Sequence, residues 1–339
     1  MRERHRSGAG QPAPSRTAHR SGAGQPAPSE RRPSRGYLLA ATGAALFSLN
    51  GIWARHLLDD GVDAARLSQL RSAGAWLILL VVLGLARPDL LRVGRSLLPG
   101  LALLGVVGLA AVQATFFLAI DRLEIGPALT IQYLAPLLLL VWLRTVHGRS
   151  IAPSLWGAVG LSLIGCFLVV KAYDAGNLDT VGLIAAFGSM VTFAIYMVGS
   201  ERAGHRLEPV TTLFWAFGFA TVLWTLATPW WSFPWDGLGS ADNLLFAAAL
   251  IVAGTLVPFI CIVASLRHIP APRAAVVATL EPALAGVFAW ILLGEELAAV
   301  QIAGGAVVLT AVAWVQSRRP DLEAEGAPPS RSGARFSPR

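Results

Sequence analysis

Ile269 to Glu296 reads IPAPRAAVVATLEPALAGVFAWILLGEE. Between Arg273 and the acidic pair Glu295 and Glu296 it holds one ionisable side chain, Glu281, followed by Pro282. A helix needs ~20 apolar residues to cross a bilayer, and this stretch is long enough. The carboxyl group falls near the middle of the crossing. An ionisable group at that depth is costly, so Glu281 is expected to face a cavity or a partner rather than lipid. Proline lacks a backbone N–H and crowds the turn before it, so a helix break is expected beside Glu281.

A weaker copy of this stretch runs from Leu123 to Ser150, LEIGPALTIQYLAPLLLLVWLRTVHGRS. In register, Leu134 meets Leu280, Pro136 meets Pro282 and Gly148 meets Gly294. Ala135 stands where Glu281 stands, and Arg149 where Glu295 stands. Gly36 to Asn50 lies on Val181 to Ile195 at nearly the same spacing. The chain therefore divides into two similar halves, 36–171 and 181–317. Repeats of this size are typical of secondary transporters. Polar tails at 1–35 and 318–339 flank the halves and are expected to be disordered. HRSGAGQPAPS occurs twice in the first of them, and no secretory cleavage site follows it.

Composition agrees. The chain has 339 residues, of which 55% are hydrophobic and 14% charged. Ten apolar stretches read as helices: Tyr37–Trp53, Leu67–Ala86, Leu97–Ile120, Ile125–Leu143, Pro153–Val170, Val181–Gly199, Pro209–Thr228, Leu244–Leu266, Arg273–Leu293 and Val300–Val315. The expected fold is an all-α polytopic membrane protein. The formal charge of +7 comes from arginine, with Lys171 the only lysine. Much of it lies in the tails and short loops, so it does not point to nucleic acid. Cys166 and Cys261 fall within spans and read as free packing thiols. The histidines are scattered, so neither a metal site nor a cofactor is expected. No loop is long enough for a catalytic domain and no nucleotide-binding motif occurs, which argues against an enzyme or a primary pump.

The loops set an orientation. With the N-terminus inside, the inner loops carry nine arginines, among them Arg87, Arg144, Arg202 and Arg273, while the outer loops are rich in Asp and Glu. The positive-inside rule then gives N-in and C-in. Each half has five spans, an odd number, so the second half is inverted relative to the first. Trp230, Trp231 and Trp235 fall in an outer loop and read as interfacial anchors.

Several polar residues lie at membrane depth. Arg71 could pair with Glu281, hold a substrate carboxylate, or snorkel to the interface as Arg66 would. Gln113, Gln132, Tyr133, Thr192, Tyr196 and Thr279 could line a site or join helices by hydrogen bonds. Thr279 stands in the place of Tyr133, so the two proline-bearing helices offer polar groups at matching depth. Trp53, Trp215 and Trp224 read chiefly as packing, with stacking on a substrate as the alternative. Gly157, Gly160, Gly165, Gly304 and Gly305 suggest close helix contacts, either internal or in a homodimer.

These features occur in a recognisable order. Asn50-Gly51 lies late in the first helix and Arg71 in the second. Leu-Ala-Pro and Leu-Glu-Pro mark the fourth and ninth, and Leu292 to Leu297 reads LLGEEL before Gln301 and a glycine-bearing last helix. The set resembles the drug/metabolite transporter superfamily, EamA type, over nearly all of Gly36 to Val315. The resemblance implies a basket of ten helices around a cavity open to one side at a time. It implies a cavity lined in part by the third, fourth, eighth and ninth helices. It also implies export of a small metabolite, an amino acid or a toxic compound, from a bacterial cytoplasmic membrane. Arg149 departs from the pattern, which often has Glu there. The expected partners are a small solute, the lipid bilayer and, for an exchanger acting through Glu281, protons. An uptake permease or a non-transporting sensor of the same fold is the alternative.

Overall fold

A computed structural model of the chain describes residues 32–123, 125–174, 179–294 and 296–317. Most of both tails, together with Glu124 and Glu295, lies outside the described residues. The described chain is helical. Its segments are α1 (Pro33–Asp59), α2 (Ala64–Ala86), α3 (Leu98–Leu103), α4 (Ala111–Arg122), α5 (Ile125–Gln132), α6 (Ala135–Thr145), α7 (Pro153–Val169), α8 (Thr180–Gly204), α9 (Pro209–Ala227), α10 (Ala241–Ile251), α11 (Val257–Ser265), α12 (Ala271–Ala278), α13 (Leu280–Leu293) and α14 (Ala299–Ser317). They build ten rods. Among the described residues nine rods are long and apolar enough to cross a membrane, and the tenth, Pro153–Val169, is a shorter apolar helix. The outer faces are apolar too: Leu85 is 84% exposed and Leu226 77%, as a surface solvated by lipid requires. The chain is a multi-pass integral membrane protein.

Four rods are irregular, and they are the same two in each half. The third and eighth change winding midway. Leu104–Ala110, between α3 and α4, is π-helical, and so is Val252–Leu256, between α10 and α11. The fourth and ninth are broken. Proline removes the donor that would bond the carbonyl four residues back. Four residues before Pro136 is Gln132, where α5 ends, and four before Pro282 is Ala278, where α12 ends. The breaks therefore fall one turn before each proline, at Tyr133–Leu134 and at Thr279, just ahead of Glu281. Both broken rods finish on a glycine in the left-handed region, Gly148 at φ 59° and Gly294 at φ 69°, which satisfies a helix end without strain on a Cβ.

The packing has a two-fold pattern. The first rod packs on the eighth and ninth, and the sixth packs on the third and fourth. The second packs on the seventh, and the fifth on the tenth. α6, the latter part of the fourth rod, meets α12, the beginning of the ninth, so these two run in opposite directions. That is the arrangement of two inverted repeats.

Gly157 and Gly165 of the fifth rod and Gly304 of the tenth serve this internal packing. A Cβ on Gly165 would lie 2.8 Å from the Gly304 carbonyl oxygen, and one on Gly304 would lie 2.8 Å from the Gly165 carbonyl oxygen. Gly157 packs against Trp314, whereas Gly160 has nothing within 4 Å of a modest side chain. Gly165→Ala is therefore expected to lower stability by about 1–3 kcal/mol, because overpacking forces the rods apart. Gly160→Ala should be neutral or slightly stabilising. Thermal unfolding in detergent separates the two, and equal midpoints would refute the contact.

Arg273 departs from expectation. Instead of lying in an inner loop it sits inside the first turn of α12 and is 1% exposed. Its Nη1 donates to the Tyr37 hydroxyl at 3.2 Å and to the Val315 carbonyl at 3.1 Å. One guanidinium thus ties the first, ninth and tenth rods together. Arg66 does not snorkel either. Its Nη1 donates to the Pro229 carbonyl at 2.9 Å and its Nη2 to Ser232 Oγ, while Gln69 Nε2 donates to the Thr228 carbonyl at 2.6 Å. These bonds fasten the Trp-rich loop to α2. Trp231 and Trp235 stay exposed there, and Trp230 stacks with Phe233.

Candidate functional site

The broken fourth and ninth rods meet near Glu281, at the start of α13 just past the break. Its carboxylate accepts a hydrogen bond from the Tyr133 hydroxyl, which comes from the corresponding break in the fourth rod. Each side chain can reach the other because each interruption frees its helix to turn a polar group inward. Tyr133 is buried, whereas Glu281 is only partly covered although it lies among packed rods.

Arg71 enters the same region from α2. It is buried, and its partners are in the π-helical turn of the eighth rod. Nε donates to Thr255 Oγ1 at 2.8 Å and Nη2 to the Gly254 carbonyl at 3.4 Å. Thr255 Oγ1 in turn donates to the Leu250 carbonyl at 2.8 Å. The wider π winding leaves carbonyls without their usual helical donors, and here an arginine takes one of them. Gly254 lets the first rod come close to this turn, since a Cβ there would lie 2.9 Å from Asn50 Oδ1. Asn50 Oδ1 is itself buried without a hydrogen-bond partner. Of the three readings open for Arg71, burial among these partners is at odds with snorkelling.

Glu281 and Arg71 act on each other's charge across the interior, although no direct ion pair joins them among the described residues. A buried carboxylate is disfavoured by desolvation and favoured by a hydrogen-bond donor and by a nearby cation. Glu281 has all three influences at once. That balance suits a group that changes its proton or its ionic partner as the surroundings change.

The other sequence candidates divide. Thr279 lies in the break, but its hydroxyl donates to Val276 O of its own helix at 2.6 Å. Its carbonyl accepts a weak bond from Cys166 Sγ at 3.8 Å. Tyr196 joins an aromatic cluster instead, edge-on to Phe259 with ring centroids 5.5 Å apart. The Tyr196 hydroxyl lies near Ser200 Oγ, but the two do not align into a good bond. Among the described residues, buried Gln113 finds no partner for either amide atom, and Gln132 finds none for Oε1. No hydrogen bond among the described residues connects Gln113, Gln132 or Tyr196 to Glu281. Thr192 bonds its own helix. Trp215 bonds the Leu91 carbonyl at 3.2 Å and Trp53 packs beside Gly254, so both are held by structure. Thr255, Gly254 and Cys166 belong to the site and were not singled out from the sequence. No group of three or more potential metal ligands occurs among the described residues.

Comparison with known proteins follows the same division of the chain. The model of the EamA-like transporter family matches twice, at residues 34–171 and 180–316. An uncharacterised transporter of Archaeoglobus fulgidus is 29% identical over 237 residues, which cover 69% of this chain and 82% of that protein. The threonine/homoserine exporter RhtA of Salmonella typhimurium is 25% identical over 273 residues, 80% of this chain and 84% of the relative. A crystal structure superposes with a TM-score of 0.70 at 18% identity, covering 86% of this chain and 99% of that one. That likeness concerns the fold.

Proposed function

The chain belongs to the EamA-like transporter family, and on that premise we propose that it is a secondary active exporter of a small amino-acid-like metabolite. The reading places the protein in a bacterial cytoplasmic membrane with both termini inside. The two halves rock about the site and expose it to each side in turn. A solute that binds the two states differently is carried as their populations shift. A return flow of protons through Glu281 drives the cycle.

The observation that supports this best is the pairing of Glu281 with Tyr133 at matched helix breaks, with Arg71 entering from α2 and held by the π-helical turn of the eighth rod. A carboxylate and a guanidinium held apart across an interior suit a zwitterion. The ammonium group would meet Glu281, and the carboxylate would take the fork of Arg71 in two parallel hydrogen bonds. The exporter RhtA, by its name, handles two amino acids of this kind, which favours the same class here.

The test is a release and flux measurement. Cells producing the protein are expected to enrich the medium in one or a few small amino acids. The purified protein in vesicles should then move the same compounds when a pH gradient is imposed, in the direction opposite to the flow of protons. Enrichment without flux in vesicles would assign the effect to another protein. Facilitated entry with no response to the proton gradient would replace the exporter by an uptake facilitator.

A further inference from the structure

At one end of the bundle three arginines and a histidine converge from two elements. Arg32 and Arg35 flank the first turn of α1, and Arg267 and His268 lie in the turn between α11 and α12. The two elements are locked together: a Cβ on Gly36 would lie 2.8 Å from His268 Cβ and 3.0 Å from Ile269 Cγ2. Backbone packing therefore holds the charges close despite their mutual repulsion. Burial and the nearby Arg35, Arg267 and Arg32 together push the His268 imidazole below its ordinary range. The acid within reach is Glu208, before α9, which takes Arg267 Nη1 at 2.7 Å. Arg32 and Arg35 have no acidic partner among the described residues. Among the described residues, Arg32 makes no side-chain cap at the start of α1 and no acidic residue lies in its first turn. The free amides there add a partial positive charge to the cluster.

We propose that Arg32, Arg35, Arg267 and His268 form a binding site for a phosphate group at the membrane surface. The site is independent of the transport pathway. Arginine supplies the fork that phosphate oxygens accept, and an anion would relieve the repulsion now borne by packing. The first span begins at Pro33, so the cluster stands at the boundary between apolar helix and water, the depth of a phospholipid headgroup. A phosphodiester headgroup and free phosphate share this chemistry, and the experiment must separate them.

Native mass spectrometry of the full-length protein reads the site directly. Wild type is offered equal amounts of phosphatidylglycerol and phosphatidylcholine. Arg32→Gln with Arg35→Gln removes the two unpaired cations. Arg92→Gln with Arg95→Gln is a control of equal charge in the loop between α2 and α3. The expected result is retention of phosphatidylglycerol over phosphatidylcholine in wild type and in the control. In the Arg32/Arg35 variant that preference falls about tenfold or more. Loss of bound lipid on adding millimolar inorganic phosphate would assign the site to a soluble phosphate, and persistence assigns it to the lipid. No preference in wild type, or the same loss in both double variants, overturns the site. Thermal unfolding of each variant shows that a loss is not a loss of fold.

Discussion

Glu281→Gln is expected to reduce pH-gradient-driven flux to the level of protein-free vesicles while substrate exchange across the same membrane continues. Glutamine has nearly the same shape, and its carbonyl oxygen can still accept the hydrogen bond that Tyr133 now gives the carboxylate. It cannot take up or release a proton. A carrier cycle that needs the proton stops, whereas exchange of one bound solute for another does not require that step. Exchange lost together with driven flux would show that the ammonium group of the solute needs the charge of the carboxylate and not only an accepting oxygen. Full gradient-driven transport by the variant would remove Glu281 from the coupling altogether. Tyr133→Phe gives the complementary case. It takes away the donor and leaves the carboxylate titratable, so driven flux should fall but remain measurable.

The fold was legible because its signals are local. Runs of apolar residues mark the rods, and Pro136 and Pro282 mark the breaks. Proline acts on the carbonyl four residues back, which puts each break one turn before it, in the ninth rod just ahead of Glu281. Glu281 stood out as a lone carboxyl at depth, and Tyr133 as the polar neighbour of the matching break. The surroundings of Arg71 were not legible. Hydropathy does not distinguish a π-helical turn from an α-helical one, so nothing in Val252–Leu256 announced a socket for a guanidinium. Thr255 is 184 residues from Arg71 in sequence, and Arg273 is 236 from Tyr37. Charge near a predicted boundary was read as loop or interface, while packing had drawn Arg66, Arg71 and Arg273 inside. Cys166 read as filler because a buried thiol has no pattern of its own.

Arg71→Met is expected to raise the half-saturating concentration of a carboxylate-bearing substrate roughly thirtyfold or more, since truncating one partner of a buried charge pair costs about 2 kcal/mol or more. Methionine fills most of the same volume, and the π-helical turn should persist. Thr255 Oγ1 already donates to the Leu250 carbonyl at 2.8 Å, and that bond does not depend on the guanidinium. The Gly254 carbonyl loses only a long contact of 3.4 Å. The decisive comparison is between a substrate acid and its amide. The amide carries no carboxylate for Arg71 to hold, so its weaker transport should change little in the variant, and the preference for the acid should collapse. Arg71→Lys keeps a positive charge but has no planar fork, and it should recover part of the preference without the two-point geometry. A uniform loss for acid and amide in both variants would make Arg71 a strut between the second and eighth rods. The recognition of the carboxylate would then have to lie elsewhere around Glu281.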